Sequence, residues 1–179
     1  MSNRCKVSLA IVMFINLVGV SCVSTPLAPR DFNFTEVVLK GPNGETLKPS
    51  NETNQVGPDS TVMVEFTIQR RIDLGGFPLI VTLNEEPTGS NTGGLFSWAS
   101  VPIPAGAANT SQTASTPLVL RCNGKSIEGN AKVGPDGKTP NNPDSGLGTR
   151  DLLGNLQPAH VHASIAGANS NTALFVCAQ

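Results

Sequence analysis

Two histidines stand one residue apart near the end of the chain, and they are the only histidines that it contains. Side chains two positions apart on a β-strand point to the same face, so His160 and His162 could bind one metal ion together. A complete site would still need carboxylates or a thiolate from elsewhere in the fold. The simpler interpretation is the solvated polar face of an ordinary strand, shared with Ser164, and we therefore expect no bound cofactor.

A second candidate site is aromatic. Phe96 and Trp98 lie two positions apart, and Trp98 is the single tryptophan of a chain in which aromatic residues make up 4%. Strand alternation predicts that both rings share one face, where they could form a platform for a sugar. The favoured alternative places Trp98 in the core of the domain, so Phe96 and Trp98 stand as possible ligand contacts only.

Residue patterns typical of enzymes are missing from the sequence. It has no Gly-x-Ser-x-Gly nucleophile motif and no phosphate-binding loop. Glu85 and Glu86 are adjacent, so on a strand they would point to opposite faces rather than form an acid–base pair. Asp136 and Asp144 lack the alternating oxygen ligands of a known calcium loop. We therefore predict that the protein is not an enzyme.

The first 24 residues have the features of a secretory signal peptide. Arg4 and Lys6 precede an apolar stretch at positions 7–20, and small residues follow it. This stretch is short for a membrane span, which needs about 20 apolar residues. A lipoprotein signal ending at Cys22 is the alternative. We expect residues 25–179 to form one secreted domain, without a membrane association once the leader is removed.

Removal of this leader would leave two cysteines, Cys122 and Cys177. Alternation along their strand-like segments puts Cys122 on the same face as Leu118 and Leu120, and Cys177 on the same face as Phe175. Both thiols would then point towards a core, and in an oxidising compartment they most simply form one disulfide.

Three Asn-x-Ser/Thr sequons, at Asn33, Asn51 and Asn109, agree with secretion. If they are glycosylated, they mark surface positions and imply a eukaryotic source. Asn33 falls within a predicted strand, so a glycan there requires a sheet edge or a strand end. Charged residues are only 14% of the chain and the formal net charge is −1, which argues against nucleic-acid binding because phosphate contacts need clustered Lys and Arg.

Short strands separated by turns account for the rest of the chain. Alternation is clearest at residues 60–69, where Val62, Val64, Phe66 and Ile68 share one face. The other predicted strands are residues 31–39, 78–83 (apolar and central), 95–103 (bent or at an edge), 118–122, 159–166 and 172–178. Residues 47–58, 105–116 and 123–158 are predicted loops; the last is long and mobile, with poor order around 134–148. The pattern predicts an all-β, immunoglobulin-like antiparallel β-sandwich of about seven short strands with one disulfide.

Part of the sequence, from Val38 to Asn109, resembles a fungal cell-wall module. The matching pieces are Leu39-Lys40-Gly41-Pro42, Asp59-Ser60-Thr61-Val62-Met63-Val64, residues 78–83, Phe96-Ser97-Trp98 with Val101-Pro102, and Pro104-Ala105-Gly106. They are similar to the β-sandwich N-terminal domain of secreted Ser/Thr-rich, often GPI-anchored proteins linked to β-glucan assembly. The similarity covers under half of the chain, and the Ser/Thr-rich tail and anchor signal of that family are missing. It implies a sandwich fold and an extracellular setting, and it transfers no site.

These features together favour a secreted, non-enzymatic protein that acts by surface contact. The expected partner is a cell-wall polysaccharide or an extracellular protein of a host or partner, as for an effector or a wall-associated protein. The alternative is a metal-binding or carbohydrate-active extracellular protein that uses His160 and His162.

Overall fold

The structure is a computed structural model that describes residues 31–87, 93–123, 126–138 and 157–178. All regular secondary structure in these ranges is β-strand. These ranges contain no helix long and apolar enough to cross a membrane. The strands are β1 (Phe32–Lys40), β2 (Thr53–Val56), β3 (Thr61–Arg70), β4 (Phe77–Glu85), β5 (Gly94–Ile103), β6 (Ser111–Val119), β7 (Arg121–Cys122), β8 (Ile127–Glu128), β9 (Ala159–Ile165), β10 (Ala168–Asn169) and β11 (Ala173–Cys177).

The strands form two principal sheets and one small ribbon. The smaller sheet has the order β1-β3-β6 and is antiparallel throughout. The larger sheet has the order β2-β11-β9-β4-β5, with β10 paired to β9. Its pairs are antiparallel except for β2 with β11, which run parallel. Strands β7 and β8 form the ribbon. The all-β, mainly antiparallel architecture predicted from the sequence is confirmed.

One apolar core joins the two sheets. The predicted alternation of β3 is confirmed, because Val62, Val64, Phe66 and Ile68 are at most 1% exposed. The inward residues of β9, at positions 161, 163 and 165, are fully buried in the same cluster. Burying a large apolar side chain stabilises a fold by about 1.5–3 kcal/mol, so these alternating positions provide much of the driving force for folding.

The predicted disulfide is present. Cys122 on β7 and Cys177 on β11 are bonded, with their Cα atoms 5.3 Å apart and 55 positions between them in sequence. Backbone hydrogen bonds hold both ends in place. The amide of Cys122 donates to the carbonyl of Gly57 at 2.8 Å, and the amide of Ala178 donates to the carbonyl of Val56 at 2.8 Å. The bond therefore ties the ribbon and the C-terminal strand to the same end of the larger sheet.

Two segments predicted as loops contain strands. Strand β2 lies within residues 47–58, and most of β6 lies within residues 105–116. Both segments are polar, so neither shows the apolar alternation that identifies a strand. They are held mainly by backbone pairing, β2 with β11 and β6 with β3. The loop predictions for these segments were therefore wrong, because sheet pairing is possible for polar strands that contribute few side chains to the core.

The environment of β4 also differs from expectation. Its run of apolar residues predicted a central strand covered on most sides, and β4 does lie between β9 and β5. However, only alternate residues are buried: Leu79, Val81 and Leu83 face the core, whereas Ile80 is 37% exposed. One face of the larger sheet is thus accessible at this strand.

The predicted long loop is partly structured. Within residues 123–158, strand β8 adds the fully buried Ile127 to the core. The segment is therefore not loop throughout, whereas its mobility stays a prediction. Most of the stretch for which poor order was predicted, residues 134–148, lies outside the described residues, as does the predicted signal peptide at residues 1–24.

Arg70 is an unusual component of the interior, being only 3% exposed. Its guanidinium donates to the carbonyl of Pro104 at 2.9 Å and to the side chains of Thr110 and Gln112. Gly106 lies directly over this group, since a Cβ there would come within 2.5 Å of the guanidinium carbon. The buried cation thereby fixes the connection between β5 and β6 against β3.

Candidate functional site

The outer face of the larger sheet collects most of the residues that could recognise a ligand. On β9, His160, His162 and Ser164 alternate with buried apolar residues and are half-buried, as alternation predicted. Strand register places Asn84 opposite His162 and Thr82 opposite Ser164. Trp98 of β5 lies opposite Thr82 on the other side. We call Trp98, Thr82, Asn84, His162 and Ser164 the polar strip.

Hydrogen bonds connect the members of the polar strip. The amide nitrogen Nδ2 of Asn84 donates to Oγ1 of Thr82 at 2.9 Å. Oγ1 of Thr82 donates to the backbone carbonyl of Ser164 at 3.3 Å. Because these side chains are already held in place, a ligand that contacts them would order few additional rotamers on binding. Sequence reasoning missed Thr82 and Asn84; the signal was their alternation with the core residues of β4.

The two aromatic residues of β5 do not share a face. Pairing with β4 matches Leu83 to Ser97 and Asn84 to Leu95, which leaves Phe96 as the extra residue of a β-bulge. Such an extra residue reverses the alternation on either side of it. Phe96 is therefore 1% exposed in the core, whereas Trp98 is half-buried on the outer face. The predicted Phe96–Trp98 platform was wrong, and so was the placement of Trp98 in the core.

A short segment after β8 closes over the bulge. The amide of Ala131 donates to the carbonyl of Phe96 at 3.0 Å, and the amide of Asn130 donates to Oγ of Ser97 at 3.1 Å. The indole Nε1 of Trp98 donates to the carbonyl of Val133 at 2.9 Å. We call residues 129–133 the edge cover, because they bond to the Phe96 carbonyl and to the side chains of Ser97 and Trp98 at this edge of the sheet.

Glycine makes the close approach of the edge cover possible. A Cβ on Gly129 would lie 1.8 Å from the carbonyl oxygen of Phe96 and 2.2 Å from its carbonyl carbon. Neither is a flexible side-chain atom, so no side chain could occupy this position without moving the backbone. Gly129 thus determines how closely the segment packs, and thereby where Trp98 is held.

A carboxylate lies beside the histidines. Oε1 of Glu86 is 3.5 Å from Nδ1 of His162 and also accepts a hydrogen bond from the hydroxyl of Thr172. The backbone amide of Glu86 donates to the carbonyl of His160 at 2.7 Å. Within the described ranges, no three His, Cys, Asp or Glu side chains are grouped closely enough to hold a metal ion. His160 and His162 therefore gain no third metal ligand from this part of the chain.

The chemistry of this face is polar but almost uncharged. The residues that β4, β5 and β9 direct outwards comprise hydroxyls, an amide, imidazoles, the indole and apolar groups such as Ile80, with Glu86 just beyond the end of β4. No Lys or Arg occurs among these outward positions. Such a surface suits a neutral, hydroxyl-rich ligand better than a phosphate or an acidic peptide, both of which favour cationic groups.

Two half-open depressions occur in the described part of the chain. One, of about 240 Å³, lies between β2 and the start of β3 and is lined by Asn54, Val56, Ser60, Val62 and Phe175 among others. A second, of about 300 Å³, lies beside Lys40 and Glu65. Pockets for drug-sized ligands range from about 300 to 1,000 Å³, so these volumes are at or below the lower limit. Neither depression is large for a small-molecule pocket.

The three sequon asparagines lie at exposed positions or near the start of an edge strand. Asn51 and Asn109 are exposed, and Asn109 has the left-handed backbone conformation, with φ at 59°. Asn33 lies near the start of β1, which is an edge strand of the smaller sheet. A glycan at this position requires a sheet edge or a strand end, and Asn33 lies at both.

Comparisons with known proteins assign no family to this arrangement. No protein-family model matches the sequence, and no curated protein matches it. The function is therefore inferred from the residues and their geometry.

Proposed function

We propose that this protein is a secreted, non-enzymatic binding protein that contacts a cell-wall polysaccharide through the polar strip. The observation that carries the proposal is the composition of that strip: one indole beside hydroxyl, amide and imidazole groups on one sheet face, with no Lys or Arg among them. Sugars offer hydroxyls that exchange hydrogen bonds with Thr82, Asn84 and Ser164. Their apolar ring faces pack against an aromatic side chain such as Trp98.

We infer that the fold is an immunoglobulin-like sandwich. Seven strands of five residues or more support this inference, together with the core shared by the smaller and larger sheets. In such sandwiches the outer sheet faces and the end loops stay available for recognition, because the inner faces are consumed by the core.

Secretion is supported by three independent features. The signal-like residues 1–24 precede the domain, and the Cys122–Cys177 disulfide is typical of an oxidising compartment. Two of the three sequon asparagines are exposed, and Asn33 is half-buried near the start of an edge strand. The resemblance to fungal wall modules points to the same compartment, and its matched pieces include parts of β3, β4 and β5. The location that we propose is therefore extracellular, at or near a cell wall.

A contact with an extracellular protein of a host or partner is the second candidate. The observation in its favour is the set of accessible apolar side chains around Trp98, namely Ile80 at 37% and Val133 at 45% exposure. Aromatic residues surrounded by apolar neighbours often dominate the energy of protein–protein interfaces. Metal-dependent or carbohydrate-active chemistry at His160 and His162 is a weaker alternative, since no third ligand accompanies them among the described residues.

A binding assay with mature secreted protein separates these candidates. Purified protein is incubated with insoluble glucan, chitin and cellulose, and the retained fraction is measured for the wild type, Trp98→Ala and Thr82→Val. The matched control is Thr67→Val, which removes a hydroxyl from the outer face of the smaller sheet. We expect retention on one polysaccharide that the two strip variants reduce and the control does not.

Other results would redirect the proposal. Retention on none of the polysaccharides, combined with capture of a defined extracellular protein, would favour the second candidate. Retention that Trp98→Ala and Thr82→Val leave unchanged would place the binding surface elsewhere. Metal titration of the wild type and of the His160→Ala, His162→Ala double variant tests the metal-binding alternative. That alternative requires the wild type to bind the metal and the double variant to lose this binding.

A further inference from the structure

Among the described residues, the main strand orders of the two principal sheets end in four edge strands, and three of these carry features that prevent pairing with another chain. Strand β2 has only four residues. Strand β1 is interrupted by a bulge between Phe34 and Glu36. Strand β5 is bulged at Phe96 and is bonded there by the edge cover. Short edges, bulges and covering segments are established ways in which proteins avoid unwanted strand pairing.

Strand β6 has none of these features along most of its length. It pairs with β3 over nine consecutive residues without a register shift, and its sequence, SQTASTPLV, contains no charged residue. The one exception is Pro117, near the end of the strand, which has no backbone N–H to donate. Beyond it, the carbonyl of Val119 accepts a hydrogen bond from Oγ of Ser97 at 2.6 Å, so this end lies against β5. The open part of the edge is therefore residues 111–116.

Alternate backbone groups of an edge strand point away from its only neighbour. Among the backbone hydrogen bonds between described residues, none outside the pairing with β3 involves residues 111–116. An extended segment from another molecule can therefore add to this edge by main-chain hydrogen bonding.

We propose that β6 is a self-association edge, on which β6 of a second copy of this chain pairs antiparallel about a two-fold axis. The two three-stranded sheets then form one six-stranded sheet across the junction. Such a contact is isologous, because the same strand contributes equally from both molecules, and it closes at a dimer.

A second copy suits this edge because the strand is complementary to itself. Its outward side chains are the exposed Ser111, Thr113 and Ser115, which are small and uncharged, so two copies meet without like-charge repulsion. The formal net charge of the chain is −1, so long-range repulsion between copies is also weak. Within one molecule Thr113 already shares a hydrogen bond of 2.9 Å with Thr67, and the second copy would extend this row of hydroxyls. Cross-strand Thr and Ser pairs of this kind stabilise sheets.

The glycosylation site at Asn109 bears directly on this edge. Asn109 is exposed and precedes the first residue of β6 by two positions. A glycan on it would lie at the start of the open edge and hinder a second copy. The test therefore uses chains that carry Asn109→Gly, which removes the sequon and suits the positive φ of 59° at this position.

Sedimentation velocity over a range from micromolar to millimolar protein tests the proposal. We expect the Asn109→Gly protein to shift from monomer to dimer as its concentration rises. Adding Thr113→Lys should weaken dimerisation by about tenfold, because two lysines would face each other at the junction. The control is Gln55→Lys, at an exposed position on β2, an edge strand of the larger sheet, and it should leave the dimer unchanged.

A further variant guards against loss of folding. Ser115 lies opposite Glu65 within the molecule, so a lysine there has a carboxylate beside it in the folded monomer. Ser115→Lys should also weaken the dimer, because a lysine on an edge strand opposes pairing with another chain. A monomer at every concentration overturns the proposal. So does a dimer that both lysine variants leave intact, because its interface must then lie elsewhere. Assembly beyond the dimer also contradicts it, because a two-fold contact closes at two copies and a larger assembly needs a different contact.

Discussion

Replacing Gly129 with alanine tests the link between the edge cover and the polar strip. The added Cβ would lie 1.8 Å from the carbonyl oxygen of Phe96, whereas ordinary contacts begin at 3.4 Å. The two backbones must therefore separate by about 1.6 Å, the difference between these distances. Both are held by strands, since Ile127 of β8 is fully buried and Phe96 is 1% exposed. The segment can relieve the clash only by lifting away from β5.

The expected cost follows from the bonds that would break. Lifting the edge cover removes its three hydrogen bonds, from Ala131 to Phe96, from Asn130 to Ser97 and from Trp98 to Val133. Each contributes about 0.5–1.5 kcal/mol net, so a complete loss would cost about 3 kcal/mol. Water can hydrogen-bond to part of the groups that become exposed, which reduces this cost. Alanine reduces it further, by about 0.4–1 kcal/mol, because it lowers the conformational entropy of the unfolded chain. We therefore expect a net destabilisation of about 2 kcal/mol.

Urea denaturation measures this change, and Trp98 reports on it locally because the chain has a single tryptophan. Native-state emission should shift to longer wavelength in Gly129→Ala, since the indole loses its contact with Val133. The matched control is Gly57→Ala, where the nearest atom to an added Cβ is Oγ of Ser60 at an ordinary 3.7 Å. That variant should remain within about 0.5 kcal/mol of the wild type. A Gly129→Ala protein with wild-type stability and emission would refute this account of the edge cover.

Three further substitutions probe the parts of the fold that position the site. Replacing Cys122 and Cys177 by alanine should cost up to about 4 kcal/mol, because the bond closes a loop of 55 positions in the unfolded chain; denaturation with and without reductant checks this, and a wild-type protein insensitive to reductant would contradict it. Asn54→Ala should cost about 1–3 kcal/mol, since this buried amide accepts from the amide of Lys48 and donates to the carbonyl of Leu174, both at 3.0 Å. Equal stability of Asn54→Ala and its exposed neighbour Gln55→Ala in thermal melts would argue against that role. Phe66→Ala should cost about 3–5 kcal/mol, measured by urea denaturation, because its ring is fully buried between the sheets; a loss below about 1 kcal/mol would show that the core is not packed around it.

Apolar alternation made the core strands predictable. In β9, and at positions 62–68 of β3, every second residue is apolar, so burial of that face follows from the period of a strand. The disulfide could be predicted for the same reason, since Cys122 and Cys177 belong to apolar faces that both point inwards. In these cases the local pattern and the tertiary environment require the same arrangement, and no long-range information is needed.

Strands defined by pairing rather than by burial were missed. Strand β2 has the sequence TNQV and pairs in parallel with β11, which lies about 120 positions away in sequence. Most of β6 is likewise a series of Ser, Thr and Gln residues. For such segments the backbone hydrogen bonds depend on a partner strand that is remote in sequence, and the side chains carry almost no information about it. The polar strip was only partly predictable for the same reason, since the register that brings Asn84 beside His162 is a property of strand pairing.

The bulge in β5 explains how one strand can place an aromatic residue in the core and another on the surface. Without it, strict alternation would place Phe96 and Trp98 on one face, so that either the core would lose a phenyl ring or the outer face would lose its indole. With it, Phe96 fills the core at 1% exposure while Trp98 stays accessible beside Thr82. A bulge also leaves local backbone groups unpaired, and here the edge cover satisfies the carbonyl of Phe96. The same local irregularity therefore places the aromatic residue on the polar strip, creates the need for the edge cover and, through that cover, protects one edge of the larger sheet from pairing.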